Sequence, residues 1–237
     1  MVVVPAKAGT QGERRALALD PRFRGGDDKE NSTVRDAVVT GAMEPADTAL
    51  WRRQARDRLI MQRMAIGPEQ RRRWGGEVER RLAALLGGLA GRIVGLYWPH
   101  RAEIDPRPLA DGLRSAGRVI ALPAIVERHG PLEYRVWQKG AEMERGLYDI
   151  PVPQARDIVH PDIAVVPLVG FDAANYRLGY GGGYFDRTLA SLEPRPVSIG
   201  VGFEAALLDT IHPQPHDLAM DFVVTEAKLR QARKGGT

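Results

Sequence analysis

A glycine-rich segment in the second half of the chain carries the residues best suited to chemistry. Four glycines fall within five positions, at 179 and 181–183, with Arg177 before them and Asp186 after them. Glycines let the backbone adopt positive φ and approach a ligand closely, so successive N–H groups and a following helix N-terminus can bind phosphate oxygens. Arg177 can fork onto a phosphate, and Asp186 can hold a hard cation that bridges phosphate oxygens. The segment therefore predicts a phosphate-binding loop.

The spacing of these glycines differs from that of two common nucleotide-binding motifs. The loop lacks the spaced glycines of the dinucleotide fingerprint, and no Gly-Lys-Ser/Thr follows it as in the Walker loop. A tight connection between a strand and a helix is the alternative interpretation. Because a simple turn needs neither the preceding arginine nor the following aspartate, the combination favours phosphate binding.

Other catalytic motifs are not matched. The histidines lack the His-Glu-x-x-His spacing of zinc sites, and Pro213 and Pro215 interrupt any helix that would align His212 with His216. No Gly-x-Ser-x-Gly elbow is present. The chain has no cysteine, which excludes a disulfide, a thiolate nucleophile and a zinc–thiolate site.

The composition is that of a folded protein rather than a disordered one. The 237 residues are 43% hydrophobic, which is enough for a core of ordinary size. No apolar run approaches the roughly 18–20 residues that span a bilayer. We therefore expect a cytoplasmic protein that does not bind membranes, which agrees with the absence of cysteine.

Positive charge is concentrated between residues 51 and 81. Ten arginines stand there against four acids, about +6 for that stretch, whereas the whole chain carries +4. This imbalance suggests a single anionic ligand site. One alternative to a ligand site is a solvent-exposed helix face without a binding role, and another is an RNA-binding module. Only Trp51 and Trp74 lie among the arginines, so the interleaved aromatics expected for RNA binding are few.

The elements that must position these residues follow from the hydrophobic periodicity. It predicts helices over 45–67, 69–86, 109–115 and 184–192. Buried strands rich in valine and isoleucine are predicted over 92–98, 119–122, 132–137, 163–169, 197–203 and 222–224. Strands that alternate with helices indicate an α/β fold with a mostly parallel sheet flanked by helices, preceded by the arginine-rich helical segment. In such sheets ligands bind beyond the carboxyl ends of the strands.

The two ends of the chain differ from the rest. Residues 1–42 lack helix and strand periodicity and resemble the translated product of an intergenic repeat. We expect them to be disordered or to precede a true start at Met43. Residues 43–230 are expected to form a single α/β domain, and residues 231–237 a flexible tail.

The run from Phe171 to Arg187 closely resembles the signature of 5-formyltetrahydrofolate cyclo-ligases, also called methenyltetrahydrofolate synthetases. Further family-like features follow in the expected order over roughly residues 50–228. They are the arginine-rich first helix, Leu-Tyr-Trp at 96–98 with Glu-Ile-Asp at 103–105, Leu-Pro at 122–123, Val-Pro-Leu at 166–168, and His-Asp at 216–217.

The resemblance implies an enzyme that uses ATP and Mg²⁺ to close a ring on 5-formyltetrahydrofolate, giving 5,10-methenyltetrahydrofolate, ADP and phosphate. It implies a reduced folate and ATP as partners, without nucleic acid or membrane. The oligomeric state is not determined by the sequence, and a monomer is slightly favoured. A relative that uses the same loop on another small amide or folate derivative is the alternative function.

The resemblance also assigns roles to individual residues. It implies nucleotide contacts from Arg52, Arg56, Arg177, Leu178, Gly179, Tyr180, Gly181, Gly182, Gly183, Tyr184 and Phe185. It implies folate contacts from Trp98, Glu103, Tyr180, Gly181, Gly182, Gly183 and Tyr184. Asp186 and Asp217 match magnesium ligands, and Arg177 and Tyr184 are the expected catalytic residues.

The chain departs from the family pattern at two positions. Arg52 stands where the family normally has a lysine, and the planar guanidinium fork is not equivalent to an ammonium. Arg53 offers an alternative register for this contact. Val152 stands where the family usually has a glutamate before a proline, so a ligand contact there is lost or supplied elsewhere.

Overall fold

The protein is described by a computed structural model over residues 44–232. The expectations for residues 1–42, and those for residues 233–237 of the tail, lie outside the described residues. None of the described helices is long and apolar enough to cross a membrane.

Two long helices begin the described chain. Helix α1 spans Pro45–Ala65 and helix α2 spans Pro68–Gly88, and each begins with a proline, which suits the first turn because no N–H is needed there. Helix α2 buries Val78, Leu82 and Leu86, which are four residues apart and therefore lie on one face. These helices confirm the predicted arginine-rich helical segment.

An eight-stranded mixed sheet forms the centre of the fold. Its parallel core consists of β12 (Phe222–Val224), β10 (Val197–Val201), β7 (Ile163–Pro167), β1 (Ile93–Gly95) and β2 (Val119–Ala124), in that spatial order. Antiparallel strands extend both edges: β13 (Leu229–Gln231) beside β12, and β3 (Glu133–Val136) followed by β6 (Ile158–Val159) beside β2. The mostly parallel sheet confirms the predicted α/β fold.

Helices cover both faces of this sheet. The larger core cluster joins α2 and α3 (Leu109–Ser115) to one face, and a smaller cluster joins α4 (Tyr184–Ser191) to the other. Helix α1 packs instead on a small three-stranded sheet, through Ala55, Leu59 and Ile60. That small sheet consists of β8 (Gly170–Asp172), β9 (Arg177–Leu178) and β11 (Leu207–Leu208), and a separate hairpin pairs β4 (Met143–Arg145) with β5 (Pro151–Pro153).

The small sheet corrects one expectation about the glycine-rich loop. The sequence patterns predict no strand between the one over 163–169 and the glycine-rich loop. Strands β8 and β9 intervene, so β7 ends at Pro167 and the glycines follow β9. Strands β8 and β9 form an antiparallel hairpin, and α1 packs against it through the cluster that contains Leu59 and Leu178.

Candidate active site

A cavity of about 540 Å³ lies at the carboxyl ends of the central strands. Its wall includes Tyr97 and Trp98 after β1, Pro123 of β2 and Pro167 of β7. Strand β1 lies between β2 and β7, so the chain moves outward in opposite directions from this point. Such a switch point opens a crevice between loops that diverge, which is where ligands bind in α/β sheets.

The glycine-rich loop forms one side of the cavity. Gly181 has a φ of 96°, and Gly183, which precedes the first residue of α4, has a φ of 65°. A side chain is strained at both positions because its Cβ would crowd the backbone. The two glycines turn the loop so that it leads into the N-terminus of α4 along the cavity wall.

Arg177 is buried beside this loop and is paired with Asp186. Its Nη2 donates to Asp186 Oδ2 at 2.7 Å, while its Nε has no hydrogen-bond partner among residues 44–232. Burial lowers the pKa of the Arg177 guanidinium, although the nearby carboxylate of Asp186 partly offsets this. A buried donor without a partner is costly. Arg177 itself lines the cavity, so its positive charge is available to an anion there.

A second arginine–aspartate pair faces the same cavity. Arg52 Nη2 donates to Asp217 Oδ2 at 2.9 Å, and the Nε of Arg52 also has no hydrogen-bond partner in the described part of the chain. The backbone N–H of Leu218, the residue after Asp217, donates to Asp186 Oδ1 at 3.4 Å. The two carboxylates therefore belong to neighbouring segments, each held by one arginine.

The contacts of Arg56 show which arginines of α1 lie at the cavity. Its Nε donates to the carbonyl oxygen of Gly179 at 2.8 Å, so a hydrogen bond joins α1 to the glycine-rich loop. Burial, and then the positive charge of Arg52, lower the pKa of Arg56. Arg52 and Arg56 both line the cavity, whereas Arg53 is exposed and does not. The geometry therefore favours Arg52 over Arg53 as the first arginine of α1 that contacts an anionic ligand in the cavity.

Another part of the cavity wall carries an aromatic ring and a buried carboxylate. Glu103 accepts hydrogen bonds from the Tyr180 hydroxyl at 2.9 Å and from the backbone N–H of His100 at 2.9 Å. Burial raises the pKa of Glu103, and the positive charge of Arg63 opposes that change. Trp98 lines the cavity nearby, with the guanidinium of Arg107 stacked 3.9 Å from its ring centre. A flat heterocycle with N–H donors fits between such groups.

Comparison with known proteins identifies the family of this chain. The model of the 5-formyltetrahydrofolate cyclo-ligase family matches residues 48–226, most of the chain and every segment of the cavity described above. The chain belongs to this family.

Curated relatives support the assignment to the cyclo-ligase family. The 5-formyltetrahydrofolate cyclo-ligase of Mycolicibacterium smegmatis is 35% identical over 182 residues, 73% of this chain and 92% of the relative. The Escherichia coli K12 cyclo-ligase is 27% identical over 178 residues, 72% of this chain and 98% of the relative. The match therefore extends over nearly the whole length of both enzymes.

Solved structures have the same fold. The NMR structure of Aquifex aeolicus 5,10-methenyltetrahydrofolate synthetase aligns with a TM-score of 0.69 at 26% identity, over 78% of this chain and 95% of that one. The Mycoplasma pneumoniae synthetase aligns with a TM-score of 0.62 at 21% identity, over 74% of this chain and 98% of that one, and supports the fold alone.

The structure brings nearly all the sequence-predicted cyclo-ligase residues to one cavity. Its wall includes Trp98, Glu103, Arg52, Arg56, Arg177, Gly179, Tyr180, Gly181, Gly182, Gly183, Tyr184, Phe185, Asp186 and Asp217. Leu178 is the exception. It is fully buried in the cluster beneath α1, because successive side chains of β9 point to opposite sides and Arg177 takes the side of the cavity.

Several cavity residues were not expected from the sequence. Tyr97, His100 and Asp149 line the cavity, and Arg63 lies behind it with its side chain bonded to Tyr180. Tyr97 could have been found from its place in the Leu-Tyr-Trp run at the end of a predicted strand. The other three stand outside any recognisable motif, and only the fold brings them to this cavity.

The second departure from the family pattern also lies at the cavity. Val152 lines it from β5 with a buried, apolar side chain. Glu144 pairs with Val152 across the hairpin, but its Oε1 accepts a hydrogen bond from Arg135 at 2.7 Å and it does not line this cavity. Asp149 is the carboxylate of this hairpin that does line the cavity.

The two aspartates suit a magnesium ion only together with a substrate. Within residues 44–232, no group of three or more metal-binding side chains gathers. Mg²⁺ commonly takes one or two carboxylates and completes its octahedron with phosphate oxygens and water. Asp186 and Asp217 therefore fit the ion if a phosphorylated ligand lies beside Arg177.

Proposed function

We propose that the chain catalyses the ATP-dependent cyclisation of 5-formyltetrahydrofolate to 5,10-methenyltetrahydrofolate, with release of ADP and phosphate. The observation that carries this proposal is the meeting of the family's glycine-rich loop and its folate-contacting residues in one cavity. The loop offers N–H donors for a triphosphate, and the arginines beside it offer positive charge. Trp98 and Glu103 line the same cavity and suit a pterin. A ligation needs both substrates within reach of each other, which a single cavity provides.

The nucleotide is assigned to the side of the cavity formed by α1 and the loop. The guanidinium groups of Arg52 and Arg177 line the cavity and offer positive charge to phosphate oxygens, and Arg56 holds the loop in place through Gly179. Asp186 and Asp217 would hold Mg²⁺, which supplies charge neutralisation for the transferred phosphoryl group when bound. Tyr184, the first residue of α4, lines the same cavity and is assigned a contact with both substrates.

The chemistry follows from the reactivity of the formyl group. The formyl oxygen attacks the γ-phosphorus of ATP, and the bond between the γ-phosphorus and ADP breaks. The formyl oxygen then carries the phosphate, which activates the formyl carbon bonded to N5. N10 then attacks that carbon and loses its proton, and phosphate leaves as the ring closes. Arg177 and the loop amides stabilise charge on the transferred group, and no side-chain nucleophile is required.

A turnover assay tests the proposed function. Purified protein is incubated with 5-formyltetrahydrofolate, ATP and Mg²⁺, and methenyl product and ADP are measured together. We expect the two products in equal amounts, and none when either substrate is omitted. An active preparation that releases ADP with this folate but forms no methenyl product contradicts the proposal.

A second candidate is a relative that uses the same loop on another small amide or folate derivative. Val152 favours it, because the apolar side chain removes a carboxylate that the family usually presents at that position. ADP release with a different formylated substrate, but not with 5-formyltetrahydrofolate, would support it. We also propose a cytoplasmic location and a monomer, with the reduced folate and ATP as the partners.

A further inference from the structure

Arg63 is a buried arginine that the proposed mechanism does not use. It lies in the last turn of α1 with 8% of its side chain exposed. Burying a guanidinium costs free energy unless its N–H donors have acceptors. The acceptors of a buried arginine therefore identify the segments that it holds together. The acceptors of Arg63 come from three separate segments, all of them next to the cavity.

Each nitrogen of the Arg63 guanidinium donates to a different segment. Nε donates to the carbonyl oxygen of Arg101 at 3.0 Å, in the loop after β1. Nη1 donates to the carbonyl oxygen of Leu168 at 3.1 Å, just beyond β7. Nη2 donates to the hydroxyl of Tyr180 in the glycine-rich loop. The planar fork of arginine allows three fixed directions at once, which an ammonium group does not.

The bond to Arg101 supports a strained turn that leads to Glu103. Arg101 and Ala102 have φ values of 46° and 61°, in the left-handed region that non-glycine residues seldom adopt. Two such residues in succession persist only when surrounding contacts hold them. The next residue is Glu103, and its Oε1 lies 3.9 Å from Arg63 Nη2. Arg63 therefore stabilises both the backbone and the charge of the segment that presents Glu103.

The bond to Tyr180 connects the same carboxylate to the nucleotide side. The Tyr180 hydroxyl accepts from Arg63 and donates to Glu103 Oε1 at 2.9 Å, which leaves one direction for its proton. Tyr180 lies between Gly179 and Gly181, so its position fixes the middle of the loop. One guanidinium thus ties the loop that faces ATP to the residue that faces the folate.

We propose that Arg63 is a positioning residue, which holds Glu103 and Tyr180 in one arrangement and so sets how the folate pocket meets the nucleotide loop. The inference rests on the proposed function, since Glu103 contacts a folate only if one binds in this cavity. It adds to the cyclo-ligase site a residue that touches neither substrate.

The electrostatics around Glu103 give the inference a measurable signature. The charged and titratable groups that face Glu103 are Arg63 from α1, Tyr180 from the glycine-rich loop and Tyr97 from the end of β1, and the backbone N–H of His100 also donates to it. Of these groups, Arg63 alone carries a permanent positive charge. Burial already raises the pKa of Glu103, and removal of Arg63 would raise it further. The ionised form that accepts pterin N–H groups would then be lost at a higher pH.

Two variants of Arg63 separate charge from geometry. We expect Arg63→Gln to raise the KM for 5-formyltetrahydrofolate about tenfold, with a smaller change for ATP, because a charged hydrogen-bond donor is lost behind the folate side. The acid limb of kcat/KM should move up by about one pH unit. Arg63→Lys should also raise the folate KM, but should leave the acid limb near that of the wild type, since it keeps the charge. Arg58→Gln, exposed on the same helix, is the matched control and should behave as the wild type.

The outcomes distinguish this inference from the function on which it rests. A folded Arg63→Gln protein with the folate KM and acid limb of Arg58→Gln overturns it. Equal rises in both KM values without a shift of the acid limb also overturn it, because that result indicates a structural role only. If Arg63→Gln does not fold, Arg63→Lys decides, and a folate KM like that of the wild type is the contrary result. A wild-type protein that forms no methenyl product overturns the proposed function and this inference together.

Discussion

Two buried arginine–aspartate pairs dominate the chemistry of the cavity at the scale of single residues. Arg177 holds Asp186 and Arg52 holds Asp217, and both arginines keep an Nε without a partner among the described residues. Each pair neutralises charge inside the protein before any ligand binds. A triphosphate with its metal can satisfy both members at once, because phosphate oxygens take the guanidinium donors and the cation takes the carboxylates.

This arrangement predicts a specific consequence for Asp186→Asn. The amide is a poorer metal ligand and leaves Arg177 without its charged partner, so we expect turnover to fall at least about 100-fold while the fold is kept. The rate measured against Mg²⁺ concentration checks the metal role, and circular dichroism checks the fold. Asp209→Asn, exposed and outside the cavity, is the control. A wild-type rate and Mg²⁺ dependence in Asp186→Asn would rule out the proposed metal role of Asp186.

At the scale of elements, the sequence patterns predicted the helices and the strands of the parallel core, and missed the short strands outside that core. Helices α1 to α4 and the core strands of the parallel sheet lie where periodicity placed them, because their apolar residues are buried in the core. The missed strands β4, β5, β6, β8, β9, β11 and β13 have only two or three residues each. Strands β1 and β12 are equally short but were predicted, because they lie in apolar runs of the parallel core. The missed strands lie outside that core, where neighbouring segments fix them and no period is visible.

The same limit explains what was missed at the site. The glycine-rich loop could be predicted because its residue types and spacing are local to seventeen positions, 171–187. Arg63 could not, since its partners lie 38, 105 and 117 residues away along the chain. The position of Leu178 depends on β9, whose two residues show too little of a strand for their alternation to be recognised.

The conformation of the loop leads to a prediction for Gly183→Ala. At a φ of 65° an alanine Cβ is strained, and it would also meet the Arg187 guanidinium at 2.8 Å. We expect the free energy of unfolding to fall by about 1 kcal/mol and the KM for ATP to rise, because the loop N–H groups turn away from the phosphates. Denaturant unfolding and steady-state kinetics measure the two effects.

Gly76→Ala provides the control for this prediction. Gly76 lies inside α2 with nothing within 4 Å of the added Cβ, so alanine should stabilise the protein by about 0.5–1 kcal/mol without changing the kinetics. If the two alanine variants unfold alike and keep the same KM for ATP, the loop does not depend on Gly183 as argued.

At the scale of the whole molecule, the fold gathers segments that are far apart in the chain. Arg52 and Asp217 are 165 residues apart, yet they bond to each other at one wall of the cavity. The part of the chain between Arg52 and Asp217 contributes the loop after β1 and the glycine-rich loop to the cavity. The cavity is therefore complete only when the central sheet has folded. This explains why the family match extends over residues 48–226 and is not confined to the glycine motif.

The most direct test is a crystal structure of the protein with a non-hydrolysable ATP analogue and Mg²⁺. We expect the terminal phosphates within hydrogen-bond distance of N–H groups in residues 179–183, with Arg177 on the phosphates and the metal between Asp186 and Asp217. A nucleotide bound at another surface, with the glycine-rich loop and both arginine–aspartate pairs unchanged, would contradict the assignment of this cavity.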